Sequence, residues 1–214
     1  MVIPNIKIWG DKLAIVEFFG MPRAGKTILL QKIEKYFLEQ NKTCDIIRRP
    51  YVKFNEVGGL EAFHQLYIEY IEKAIDEHRK KGTPHLFFDR GPYDRRVFLS
   101  LDMDEGLISR EFNNVQSSRI EDIIKQIDSV YMMIINQQES FNRWPAQTNE
   151  GLDNQHLNIG LPSYDIDLMK MSKNYNKYNS LITSHPEIIV VDGNQKKEEV
   201  FSKVLYSLMD RGIA

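Results

Sequence analysis

Short apolar runs punctuate the chain at Leu13 to Phe18, Cys44 to Ile47, His85 to Phe88, Val130 to Ile135 and Ile188 to Val191. Runs of this length suit strands buried on both faces. Between them the apolar spacing changes to three and four residues. Ile28, Leu29, Ile33, Tyr36 and Phe37 fall on one helical face, and Leu60, Phe63, Tyr67, Tyr70, Ile71, Ala74 and Ile75 on another. Further helices are predicted to open at Tyr93-Asp94-Arg95-Arg96 and to cover Arg119 to Ile127, Asp165 to Ile182 and Lys196 to Met209. Strands alternating with helices predict an α/β fold, a three-layer α/β/α sandwich around a five-stranded parallel sheet.

One stretch breaks this rhythm. Pro145 to Ser163 is polar, carries Gly151, Gly160 and Pro162, and is too long for an idle connection, so it is expected to act as a lid. The first ten residues suit either an extra edge strand or a loose arm. No repeat or linker divides the sequence, which is expected to form a single domain over residues 1–214.

Composition narrows the function classes. The formal net charge is −2 with 42% apolar residues, so bulk charge points to neither nucleic acid nor an anionic membrane as the main partner. The single cysteine, Cys44, excludes an intramolecular disulfide and the thiolate zinc sites. No apolar run approaches the roughly 20 residues of a spanning helix. A cytoplasmic protein without a membrane partner is expected. The histidines lack metal-ligand spacing and read as surface or packing residues.

The strongest chemical signal is Gly20-Met21-Pro22-Arg23-Ala24-Gly25-Lys26-Thr27, which fits GxxxxGK[ST] at every fixed position and lies between a predicted strand and a predicted helix. The glycines let backbone N–H groups turn inward around a phosphate, and the helix N-terminus adds a favourable dipole. Lys26 supplies a point charge for the β- and γ-phosphates, and Thr27 offers a hydroxyl to Mg²⁺. ATP with Mg²⁺ is the expected ligand, and the fold class becomes a P-loop NTPase. Gly20 to Thr27 and the adjoining Ile28 form the expected nucleotide-binding set.

His85-Leu86-Phe87-Phe88-Asp89 is a strand ending in an acid, which brings a carboxylate beside the P-loop Mg²⁺. Asp89 either holds the metal, directly or through water, or takes a proton from an acceptor hydroxyl. Arg90, Arg95 and Arg96 would converge on the same sheet edge, with Arg90 a clamp on phosphate, or else one or more of the three pair with Asp89, Asp94 or other surface acids. Arg48 and Arg49 either face this cleft or are solvated turn residues. Arg143, at the threshold of the expected lid, could swing onto the phosphates.

GMPRAGKT, IIRRP, FFDRGPY and the closing stretch SKNYNKYNSLITSHPEIIVVDGNQKKEEV together resemble the thymidylate kinases, over about Leu13 to Val200. DRGPYDRRVF is also similar to the Glu-Arg-Ser segment of deoxynucleoside kinases. The resemblance implies that Arg23 acts as a catalytic arginine from the P-loop, Arg90 binds acceptor phosphate, Arg143 matches a lid arginine, and Gly193, Asn194 and Gln195 lie near adenine. Two acids of the family pattern are missing. Pro22 stands for its P-loop carboxylate and Arg49 for the glutamate of Arg-Glu-Pro, which makes the cleft more cationic and suits a phosphorylated acceptor.

The expected function is therefore an ATP-dependent phosphotransferase acting on a nucleotide or similar small phosphorylated acceptor, with Lys26, Arg23, Asp89, Arg90 and Arg143 as its catalytic set. A P-loop nucleotide-binding regulator or slow ATPase is the alternative. Nucleic acid is not the expected partner, and the oligomeric state, monomer or homodimer, stays open.

Overall fold

The computed structural model describes residues 13–50, 56–140, 142–143 and 168–214. The expected lid over 145–163 and the N-terminal arm lie outside them. In chain order the elements are β1 (Ala14–Gly20), α1 (Lys26–Glu39), β2 (Cys44–Arg48), α2 (Leu60–Lys81), β3 (His85–Asp89), α3 (Pro92–Asp104), α4 (Arg110–Ile124), β4 (Ser129–Ile134), α5 (Leu168–Ser184), β5 (Ile189–Asp192) and α6 (Lys197–Asp210). The sheet has five strands in the order β2-β3-β1-β4-β5, and every pairing is parallel.

β1 is central, and all seven of its residues are buried. A parallel strand flanked by strands and covered by helices has no wet face, which explains why β1 is apolar apart from Glu17. Val16, Phe18 and Phe87 share a core cluster with Leu30, Ile33 and Phe37 of α1 and Val204 and Leu208 of α6. Ile15, Leu86 and Phe88 belong to a second cluster with Ile68, Ile71 and Ile75 of α2 and Ile120 and Ile123 of α4. Together these clusters pack helices onto both faces of the sheet. No described helix is long and apolar enough to cross a membrane.

The predicted helix at Arg119 to Ile127 differs most from what is observed. α4 begins nine residues earlier, at Arg110, where the Ser109 hydroxyl accepts from the Phe112 N–H at 3.2 Å. Its first turns carry an exposed Val115 and little apolar periodicity, so the cap marks the start better than the pattern does. The helix stops at Ile124 because the next turn must swing Asp128 against β1, where the Asp128 carboxylate accepts from the Ile15 N–H at 2.9 Å.

Candidate functional site

The turn between β1 and α1 leaves the sheet at its carboxyl edge. Gly20 has φ 113°, and a Cβ there would lie 2.4 Å from the Met133 carbonyl oxygen of β4, so only glycine fits. Gly25 has φ 93°, and between them Arg23 adopts φ 62° without being glycine. The loop is pinned from behind: Met21 N–H donates to Met133 O at 3.0 Å, and Ser140 Oγ donates to Pro22 O at 2.8 Å.

Lys26 folds back into this loop. Its Nζ donates to Gly20 O at 3.0 Å and to Met21 O at 2.7 Å, and the residue is buried. Burial, and then repulsion from Arg90, push the ammonium down to about 7, against the pull of Asp89 and Asp94. Thr27 Oγ1 donates to Asp89 Oδ2 at 2.7 Å. The two residues assigned to Mg²⁺ from the sequence, 62 positions apart, are thus brought together as an oxygen pair of the kind hard cations prefer.

Asp89 ends β3, and the chain turns sharply after it. Arg90 has φ 70°, a left-handed conformation that costs a non-glycine residue on the order of 1 kcal/mol. Both its backbone groups are satisfied there: N–H to Phe18 O at 2.9 Å, and O from the Tyr67 hydroxyl at 2.8 Å. Its Nη1 donates to Asp94 Oδ1 at 2.9 Å, and the same oxygen accepts from Tyr178 OH at 2.8 Å. Arg90 is therefore paired with an acid, one of the two settings that the sequence left open for it, and lies near enough to Lys26 to repel its charge. Arg96 pairs with Glu121, the acid pairing that the sequence also left open for it, and lies against His185.

Sequence reasoning passed over Glu17. It is wholly buried in the middle of β1, where Oε1 accepts from Gly91 N–H at 2.8 Å and Asp94 N–H at 3.0 Å, and Oε2 from Tyr93 N–H at 2.9 Å. It caps the N-terminus of α3 from the neighbouring strand. A Cβ at Gly91 would stand 3.0 Å from the Glu17 carboxyl carbon, so Gly91 leaves room for it. Burial pushes this carboxyl up to about 8, with Asp94 adding to the rise and the three N–H donors opposing it. The sequence signal was available as one acid inside an otherwise apolar strand.

Because Glu17 holds its proton more tightly in the folded chain, the folded state binds more protons between pH 4.5 and about 8, and stability falls as pH rises through that window. Glu17→Gln is expected to flatten this slope. It should also lower stability by about 2 kcal/mol, because its amide nitrogen would face the Tyr93 N–H. Chemical denaturation at pH 5, 7 and 8.5 measures both; an unchanged slope would contradict the assignment.

On the β4 and β5 side of the loop lies a cavity of about 350 Å³, lined in part by Arg23, Gly25, Ile28, Arg143, Gly193 and Gln195. That volume is within the range of small-ligand sites. Gly193 closes it tightly, since a Cβ there would meet Ile134 O at 2.9 Å and Ala24 O at 3.0 Å. Lys32, Lys196 and Lys197 also line it and were not foreseen. Asn194 does not: its side chain turns back to Asp192 Oδ1 at 2.7 Å and receives the Asn136 N–H at 3.2 Å. Arg143 is on the cavity wall, its Nε held by Glu139 at 2.7 Å and its Nη1 donating to Gly193 O at 3.2 Å.

With this geometry in hand, the chain compares with solved structures of deoxyadenosine kinase from M. mycoides. The one with the products dCMP and a flexible dCDP bound covers 92% of this chain and 99% of its own, with a TM-score of 0.68 and 13% identity. That with bound dATP covers 91% and 98%, with a TM-score of 0.64 and 14% identity. The fold is that of a P-loop NTPase. No protein-family model and no curated protein matches the sequence. At 13% and 14% identity these structures bear on the fold alone, and they do not single out the thymidylate kinases.

Proposed function

We propose that this protein is an ATP-dependent phosphotransferase that moves the γ-phosphoryl group to a nucleoside monophosphate or a similar small phosphorylated acceptor. The observation that carries this reading is the Thr27–Asp89 contact at 2.7 Å directly beside buried Lys26. Glycine loop, ammonium, hydroxyl and carboxylate then surround one point where phosphates can sit. Mg²⁺, when bound, would be held by Thr27 and Asp89 and would neutralise charge on the phosphate oxygens. The cavity bordered by Gly193, Gln195, Arg23 and Arg143 suits the donor nucleoside.

The chain's own part in the reaction is positioning and electrostatics. Lys26 leaves the loop carbonyls for the β- and γ-phosphates. Arg90, preset by its two backbone bonds, offers a guanidinium to the incoming anion. Arg23 sits on the loop itself, within reach of the transferring group. A phosphate acceptor is already anionic and needs no strong base, which agrees with the employment of the nearby carboxylates: Asp89 bonds Thr27, Asp94 bonds Arg90, and Glu17 caps α3.

The test is ATP consumption with Mg²⁺ against ribo- and deoxynucleoside monophosphates, with the matching nucleosides alongside. Monophosphate-dependent turnover is expected. Turnover with nucleosides only would move the reading to a nucleoside kinase with Asp89 as base, and nucleotide binding without any acceptor-dependent turnover would favour a P-loop regulator.

A further inference from the structure

Arg95 is the most deeply buried arginine described, 4% exposed one turn into α3, and among the described residues no carboxylate balances it through a hydrogen bond or ion pair. Its guanidinium carbon lies 4.7 Å from the Tyr67 ring centroid, 5.1 Å from Phe98 and 5.6 Å from Phe63. Its Nε and Nη1 are both buried without a hydrogen-bond partner. Buried donors are paired in nearly all native structures, so an exception needs a reason. The cost is greater for a cation: burial, with Arg49 adding to it, disfavours the charged form and outweighs the opposing pull of Tyr67, Asp94 and Asp102.

The location supplies the reason. Arg48 is the register partner of Asp89, so Arg49 and Arg90 follow side by side at the carboxyl ends of β2 and β3. Tyr67 joins the two features, since its ring stacks on Arg95 while its hydroxyl holds the Arg90 carbonyl. Arg95 thus stands in the wedge between α2 and α3, on the side of the phosphate loop opposite the donor cavity. An acceptor whose phosphate met Arg90 would extend into that wedge.

We infer that Arg95 is the base-selecting residue of the acceptor site, and that the acceptor is a nucleoside monophosphate whose base presents two neighbouring hydrogen-bond acceptors. This rests on the kinase reading for its direction but concerns recognition alone. A guanidinium only donates. Adenine sets an amino group beside both N1 and N7, and uracil and thymine set an N–H between their carbonyls. Cytosine, with N3 and O2, and guanine, with N7 and O6, offer paired acceptors, and a planar cation discriminates for such pairs. The flanking rings of Phe63, Tyr67 and Phe98 fix the guanidinium in place for such pairing.

The experiment is titration calorimetry of CMP, GMP, AMP and UMP, and of their deoxy forms with dTMP, into the protein holding a non-hydrolysable ATP analogue. The variants are Arg95→Met and Arg95→Gln. CMP or GMP, in one sugar form, is expected to bind at least about tenfold more tightly than AMP and UMP. In both variants that advantage should shrink to within about twofold, with affinity for the analogue unchanged. Arg95→Met should also raise the melting temperature of the ligand-free protein, because it removes an unpaired buried cation, whereas a purely structural arginine would lower it.

Equal or tighter binding of AMP or UMP, a preference that survives in Arg95→Met, or no monophosphate binding at all would overturn the inference. Phosphoryl transfer without base preference would overturn it while leaving the kinase reading intact, and base-selective binding without transfer would do the reverse.

Discussion

Lys26→Met is expected to reduce turnover by about 100- to 1000-fold and to weaken ATP binding as well, since it removes the buried ammonium that folds back into the phosphate loop. Its proton makes the prediction sharper. In the free protein the Lys26 ammonium sits near 7, against an ordinary value of 10.5, so at pH 8 it is largely neutral. Phosphates arriving in the loop restore the charge, and binding at pH 8 should therefore take up close to one proton, whereas at pH 6 it takes up almost none. ATP affinity should fall as pH rises above about 7, by up to about tenfold per unit.

Calorimetry in two buffers of different ionisation enthalpy measures the uptake directly. Lys26→Met should lose it, and the same uptake in the variant would mean that another group carries the proton. The ligand-free protein also has a stability signature of the same origin. Its folded state binds fewer protons than the unfolded chain between about 7 and 10.5, so stability rises with pH across that window where Lys26 dominates, opposite in sign to the Glu17 contribution at lower pH.

Asp89→Asn is expected to separate metal use from nucleotide binding. ATP affinity without Mg²⁺ should stay within about threefold of the original, whereas the gain from adding Mg²⁺ should vanish and turnover should fall about 1000-fold. Thr27→Ala should do the same. Because the two side chains touch, the double variant should be little worse than either single one, the non-additivity of groups that serve one ion. Full additivity of the two losses, or an intact Mg²⁺ response in Asp89→Asn, would sink the shared role.

The pattern of the sequence carried the sheet well and the details of the site unevenly. All five strands lie within about two residues of where apolar runs predicted them, because burial on both faces leaves no room for another pattern. The turn at Gly20 to Thr27 was legible for a similar reason: the close approach of Gly20 to Met133 O and the positive φ of Gly20 and Gly25 demand glycine at those positions. Glu17 was not read, since its partners are three backbone N–H groups more than seventy residues away, and backbone donors leave no mark on a sequence. Arg95 was read as one of several convergent cations, but its isolation among rings depends on how α2 and α3 meet. The assignment of Asn194 to the adenine neighbourhood followed its neighbours Gly193 and Gln195. The turn instead sends that side chain back to Asp192, off the cavity wall.

The strand order has a consequence for synthesis. The phosphate loop belongs to the first described strand, yet the Met133 backbone that fixes Gly20 and Met21 is made more than a hundred residues later, and Gly193 later still. A growing chain thus displays the motif long before it owns the cavity beside it. A nucleotide bound there would be no early template for folding; its stabilising influence would begin only once β5 has docked and α6 follows. Ribosome-bound intermediates ending before residue 189 should accordingly be indifferent to ATP in protease sensitivity, and those extending past 210, clear of the exit tunnel, should be protected by it.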